Sequence, residues 1–227
     1  MCGRYYRRSD KQRIAEAYRL GEIPFDLILP DWDFNIAPTT FQPVIRRSRD
    51  TAQRELVLMR WGMVPYFTRQ LSDVKGISTI NAKAEGIDKS PTWRIPFLRR
   101  RCLVPADGFY EWKRLDQKTR QPFAFRMANE QPFAFAGLWD AWKGPDGSWL
   151  QSFSIITTDA NELMARIHNR MPVILKPEDY DRWLDRENQR PPVDLLRPYD
   201  AGKMSSAPCN PQVGNVKNNG PEMLNSA

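Results

Sequence analysis

Position 2 of the chain is a cysteine, followed by a glycine and an arginine, Cys2-Gly3-Arg4. If Met1 is trimmed, which the small neighbouring side chain permits, Cys2 carries a free amine and a thiol on adjacent carbons. Such a 1,2-aminothiol captures an aldehyde in two steps: the amine forms an imine, and the thiol then closes a thiazolidine ring. No other position in a polypeptide offers this pair. Protonation also favours it, because an α-amino group with a pKa of about 7.8 is roughly one-third neutral near neutral pH, whereas a lysine at about 10.4 is neutral in roughly one part per thousand. The thiol, with a reference pKa of about 8.5, is a few per cent thiolate at neutrality, and the neighbouring Arg4 is expected to raise that fraction. Taken alone, the dipeptide is equally open to a plainer reading, a buried and inert cysteine.

Composition narrows what such a group could serve. The chain has 227 residues, 34 Lys plus Arg against 27 Asp plus Glu, and a formal charge of +7, with 41% hydrophobic residues. This is a globular composition with a basic bias and ample material for one core, and without an evident linker one domain is expected over residues 1–227. No apolar run approaches the ~20 residues a membrane-spanning helix needs. The first residues, Met1-Cys2-Gly3-Arg4-Tyr5-Tyr6-Arg7-Arg8, carry charge where a signal peptide is apolar, so a cytoplasmic protein is expected. Cys2, Cys102 and Cys209 are odd in number and widely spaced, which argues against a disulfide framework. With the single His168 they could make a Cys3His zinc set, but no CxxC pair supports it; neither a metal nor another cofactor is expected.

The elements that must position Cys2 read as follows. Ser9 with Gln12 forms a capping box for a helix over 10–20 that stops at Gly21. The proline-rich stretch 24–43, with Phe25, Ile28, Trp32 and Phe34 mixed in, reads as ordered loop. Strands are expected over 55–61, 102–105, 109–113, 122–127, 133–139 and 152–157, with a hairpin turn at 115–121. Ser90-Pro91 opens a short helix through Phe97, Asp159 with Glu162 caps a helix ending before His168, and 177–184 is a third candidate. The tail after Pro191 is rich in Pro, Asn, Ser and Gly, yet Val213, Val216 and Leu224 imply that it docks back. The pattern predicts an α+β fold: a β-barrel-like, curled mixed sheet with short peripheral helices.

Seven ordered segments carry a stronger signal. Cys2-Gly3-Arg4-Tyr5, Asn35-Ile36-Ala37-Pro38-Thr39, Trp61-Gly62, Asn81-Ala82-Lys83-Ala84-Glu85, the long block from Arg101 to Lys113, His168-Asn169-Arg170-Met171-Pro172 and Val213 to Asn218 together resemble the motifs of the SOS-response-associated peptidase family. The resemblance spans nearly the whole chain. It implies a barrel-like α+β domain with a positively charged groove that binds single-stranded DNA bearing an abasic site. It further implies that Cys2, freed of Met1, captures the ring-opened deoxyribose aldehyde as a thiazolidine crosslink that shields the strand. The family's active-site asparagine, glutamate and histidine fall on Asn81, Glu111 and His168. Where the family commonly reads Asn-Ala-Arg, this chain reads Asn81-Ala82-Lys83, which keeps the charge and loses the bidentate phosphate fork.

The residues admit compatible jobs. Glu111 lies among Phe109, Tyr110 and Trp112, where a buried carboxyl could shuttle protons during imine formation. The bland alternative is a strand carboxylate facing water. His168 follows a helix C-terminus and could act as the acid that opens the sugar, though a lone histidine is often structural. Asn81 could donate to the opened sugar or simply cap a strand. Candidates for phosphate tracking are Arg4, Arg7, Arg8, Lys83, Arg99, Arg100, Arg101, Lys113, Arg170 and Lys217, of which Arg4, Lys83, Arg101 and Arg170 sit inside matching motifs. Asn35, Pro38 and Thr157 are candidate DNA contacts on the same ground, and Trp61, Tyr66, Phe67 and Trp112 could stack on bases.

Three functions compete: covalent capture of abasic sites with an associated lyase-like or self-reversing step; an N-terminal-nucleophile peptidase with Cys2 as nucleophile, His168 as base and Glu111 as orienter, which would explain self-removal of Met1; and a non-catalytic single-strand binder. The partner expected in the first and third is single-stranded DNA. A monomer that works in the cytoplasm, at the nucleoid of a bacterium, is expected.

Overall fold

Two strands of eleven residues each dominate the middle of the chain, and strands of that length twist enough to pair with different neighbours at their two ends. The computed structural model describes residues 2–21, 23–24, 26–74 and 79–226. Met1, and Phe25 of the expected loop, lie outside the described residues. The elements in chain order are β1 (Tyr5–Arg7), α1 (Lys11–Tyr18), β2 (Asp33–Ile36), β3 (Phe41–Arg47), β4 (Arg54–Trp61) and β5 (Asn81–Lys83). There follow α2 (Arg94–Arg99), β6 (Arg101–Ala106), β7 (Gly108–Arg114), β8 (Arg120–Met127), β9 (Phe133–Lys143) and β10 (Trp149–Asp159). The last are α3 (Glu162–Ala165), β11 (Arg170–Pro172), β12 (Ile174–Leu175), α4 (Tyr180–Leu184) and β13 (Met204–Pro208).

Five strands close a barrel. β4 pairs antiparallel with β3, β3 with β6 at Ile45↔Leu103, β6 with β9, and β9 with β10. The ring is completed by a parallel pairing of β10 with β4 at Ser152↔Arg60 and Phe153↔Trp61. Inside, Gly137 on β9 is required: a Cβ there would lie 2.8 Å from the Cys102 sulfur and 2.9 Å from a Val104 methyl. Towards its end β10 exchanges partners, taking β5 at Ile155↔Asn81 to Thr157↔Lys83 and β11 at Thr157↔Pro172. A second sheet, in the order β13-β8-β7-β1-β2, packs against the barrel. Their common core joins Tyr5, Phe109 and Phe125 to Trp61, Phe135 and Phe153, with Tyr5 edge-on to Trp61 at 5.1 Å. The α+β, barrel-like expectation describes this architecture.

Several boundaries differ from expectation for local reasons. α1 is capped by Asp10, whose carboxylate accepts from the Arg13 N–H, while the Ser9 hydroxyl donates to Asp107 instead; the helix stops at Arg19 in a left-handed conformation, before Gly21. α3 is capped by Asn161 rather than Asp159, because Asp159 ends β10. The stretch 24–43, expected as loop, contains β2 and the start of β3, which pairing with β1 and β4 supplies. α2 begins at Arg94, after a turn at 91–93. In the tail, Val213 is buried and Met223 joins it, but Val216 is exposed.

Candidate functional site

The site forms where the two sheets meet. β1 pairs with β7 at Tyr5↔Phe109, and the Tyr110 N–H donates to the Arg4 carbonyl at 3.0 Å, so the register extended by two residues sets Glu111 beside Gly3. Cys2 and Glu111 thus come from one sheet. From the barrel side, Asn81 reaches across: its Nδ2 donates to the Cys2 carbonyl oxygen at 2.9 Å. Cys2 is 1% exposed with its sulfur turned towards the Arg4 carbonyl, 3.9 Å away, and Glu111 is also buried. Met164 and Met171, which flank His168 in sequence, pack in the same core cluster as Cys2.

Burial first, and then the nearby Glu111 charge, push the Cys2 thiol well above its ordinary range. The expected assistance from Arg4 is absent, because that guanidinium is directed elsewhere: it donates to Asn35 Oδ1 at 2.6 Å and to the carbonyls of Val213 and Gly214 at 2.7 and 3.2 Å. On Asn81, the buried Oδ1 has no hydrogen-bond partner among the described residues, and the same holds for Thr157 Oγ1. A buried oxygen left so costs about 1 to 3 kcal/mol and is the kind of acceptor a bound ligand completes. His168 is half-buried; its Nδ1 accepts from the Arg170 N–H at 3.0 Å, which puts the ring proton on Nε2 in the neutral form.

The basic candidates divide sharply. Lys83 is exposed and has no ion-pair partner among the described residues. Arg170 holds Glu85 with two bonds at 2.7 and 2.8 Å, and also Asp159 at 2.9 Å and the Thr157 carbonyl at 2.7 Å, so a phosphate must compete with two carboxylates. Arg101 is corrected: it is 4% exposed, and its guanidinium commits four of its five N–H donors to the carbonyls of Trp183, Phe97, Leu98 and Asp185, which makes it a structural residue rather than a surface for DNA. Arg7 is likewise buried on the carbonyls of Ser9, Pro30 and Asp31. Asn35 is not presented to a strand either. Its amide donates to the carbonyls of Val213, Asn215 and Asn218 and so clamps the C-terminal tail.

Among the remaining candidates, Thr157 and Trp61 are fully buried, which removes Trp61 as a base-stacking surface and Thr157 as a direct surface contact. Pro38 is half-buried in the turn after β2. Tyr66 and Phe67 are 56% and 53% exposed and stand edge to face at 5.3 Å on the loop after β4. Sequence reasoning missed Glu85 as the partner of Arg170, and it missed the carbonyls of the tail as the seat of Arg4 and Asn35. The one available signal was the tail motif itself, Val213 to Asn218. Among the described residues, no cluster of three or more His, Cys, Asp or Glu could hold a metal, and no helix is long and apolar enough to cross a membrane.

The same residues lie inside a family model, described as SOS response associated peptidase (SRAP), that matches positions 1–216. The chain belongs to this family. SRAP relatives with curated names include the abasic site processing protein YoqW of Bacillus subtilis, 39% identical over the full length of both chains. The mouse abasic site processing protein HMCES is 29% identical, over 99% of this chain and 75% of its own. Among solved structures, a protein from Bacteroides thetaiotaomicron superposes with a TM-score of 0.88 at 26% identity over all of both chains. One from Bordetella bronchiseptica does so at 0.77 and 28% identity, over 92% of this chain and all of its own. The SRAP fold is therefore shared end to end.

Proposed function

We propose that this protein captures abasic sites in single-stranded DNA through a thiazolidine on Cys2, formed after Met1 is removed. The observation that carries the reading is the convergence on Cys2 of a buried carboxylate and a buried amide from opposite sheets, in a family whose curated relatives are named for processing abasic sites. Trimming residue 1 would place an α-ammonium beside Glu111 and the unsatisfied Asn81 Oδ1. Glu111 accepts a proton from that ammonium, and the neutral amine attacks the aldehyde carbon of the opened sugar. The carbinolamine then loses water, the leaving hydroxyl taking up a proton, a role this reading gives to His168. The thiol then adds to the imine carbon while its proton passes to the imine nitrogen, closing the ring; amine, aldehyde and thiol give thiazolidine and one water. This last step starts from the protonated thiol, which is the form that burial and Glu111 favour.

In this reading Lys83 and the Tyr66-Phe67 pair hold the flanking strand, by phosphate contact and by stacking; all three are exposed. Contacts to phosphate and sugar carry no base code, so binding is tolerant of sequence. The reading has the protein act as a monomer on DNA in the cytoplasm. One denaturing gel tests it: wild-type protein should form a heat-stable conjugate with an abasic oligonucleotide and none with an intact one. Cys2→Ala should lose the conjugate entirely while still binding the strand, and a full yield from that variant ends the proposal.

A further inference from the structure

Away from the seam, the barrel carries a second feature that abasic-site chemistry does not use. Two adjoining cavities of about 570 and 390 Å3 share Arg46, Arg47, Arg49, Arg100 and Trp139. Their common trough opens beside Gln151, six residues before Thr157, which is roughly 20 Å along β10 from the seam. Basic side chains outnumber the three acidic ones there, Asp50, Glu55 and Glu187; Arg46, Arg47 and Arg100 are paired with Glu55, Asp181 and Asp140, while Arg49 and Lys143 are exposed and have no ion-pair partner among the described residues. The floor is a stack: Arg46 lies 4.5 Å over the Trp139 ring and Arg100 5.9 Å from it. At the rim Trp149 is 66% exposed, with the Lys143 ammonium 5.9 Å from its ring.

A buried carboxylate joins this trough to the loop after β4. Asp140 is 1% exposed; it receives the Arg100 guanidinium and the Ala141 N–H on one oxygen, and the Tyr66 N–H on the other at 2.9 Å. Tyr66 itself lines the trough on one side and meets Phe67 on the other. We infer that the trough binds single-stranded DNA running on from the lesion, its phosphates on Arg49 and Lys143 and a base on Trp149. An open basic channel with exposed aromatic faces suits a flexible polyanion that can splay its bases. A tryptophan left two-thirds in water also offers a large flat apolar surface.

This inference rests on the reading of the protein as a single-strand binder, and its test separates the two. Arg49 and Lys143 are exposed and have no ion-pair partner among the described residues, so Arg49→Glu with Lys143→Glu is expected to fold. Trp149→Ala serves as an independent second variant. Affinity is measured for intact oligonucleotides of about four and about twenty nucleotides, spanning the range of single-strand site sizes. The charge-reversed protein should bind the long strand at least tenfold more weakly and the short one within about twofold. Its slope of log affinity against log salt should fall by about 0.7 for each phosphate that is no longer neutralised. Trp149→Ala should weaken the long strand selectively. Equal binding of the long strand by wild type and both variants overturns the inference, as does a loss equal at both lengths, or tighter binding of a duplex of the same length. If wild type forms the crosslink but the variants show no length-dependent loss, the trough fails alone. If no crosslink forms yet the loss persists, the capture chemistry fails and the trough stands.

Discussion

The seam and the trough handle charge in opposite ways. At the seam the arginines are consumed, Arg4 by tail carbonyls and Asn35, Arg170 by Glu85 and Asp159, while two neutral oxygens, Asn81 Oδ1 and Thr157 Oγ1, are left without partners among the described residues. In the trough Arg46, Arg47 and Arg100 are paired too, with Glu55, Asp181 and Asp140, but Arg49 and Lys143 stand exposed without an ion-pair partner among the described residues. A site that moves protons benefits from burial, because a low dielectric amplifies each nearby charge, as the effect of Glu111 on Cys2 illustrates. A site that grips phosphate gains from exposed, unspent cations and pays little desolvation. On the two proposals above, the division gives chemistry to one region and affinity to the other.

Glu111→Gln breaks the contrast most directly, since it leaves the shape of the seam and deletes its charge. Crosslink formation should slow by about 10²- to 10⁴-fold, the usual worth of a positioned acid-base group, with strand affinity unchanged. The Cys2 thiol should also titrate lower than in wild type, because the charge that helps raise it is gone, and alkylation rates against pH read this. A variant that crosslinks at the wild-type rate removes Glu111 from the chemistry.

Asn35→Ala sharpens the comparison from the structural side. It strips the donors from three tail carbonyls and the acceptor from Arg4, so thermal or urea unfolding should show a loss of about 2 to 4 kcal/mol. Long-strand affinity in the trough should not change. If stability is untouched, the tail is not held by this clamp.

A pH trend distinguishes buried groups from exposed ones. Burial raises the thiols of Cys2 and Cys102, that of Cys209 to about 12, and the phenols of Tyr5 and Tyr18. In the unfolded chain, thiols release protons from about pH 8.5 and phenols from about pH 10, while the folded chain retains them. The folded state then binds more protons, and stability must fall as pH rises through that window. Melting temperature should drop between pH 8 and pH 10.5 (roughly the span of those reference values); a rise would contradict the burial of these groups.

Much of the barrel was readable in advance. The runs 133–139 and 152–157 form β9 and β10 because apolar, β-branched and aromatic residues suit strands buried on both faces. Short elements were not readable: β5 has three residues, and only pairing with Ile155 to Thr157 makes Asn81-Ala82-Lys83 a strand. The caps failed for a related reason. Ser9 and Asp159 have the right chemistry for a helix start, but Asp107 engages the first and β10 absorbs the second.

The order of residues alone established that an aminothiol could exist, since Cys2 lies next to a removable methionine, and it named Glu111, Asn81 and His168 as candidate company through motifs spread along the chain. Which arginines remain free was settled only by folding. Arg101 and Lys83 look alike as letters, yet one is buried on four backbone carbonyls and the other stands in water. Every residue carries a carbonyl, so nothing in a string of side chains marks the few that converge on a guanidinium. That convergence is a property of the closed barrel and of the tail folded back upon it.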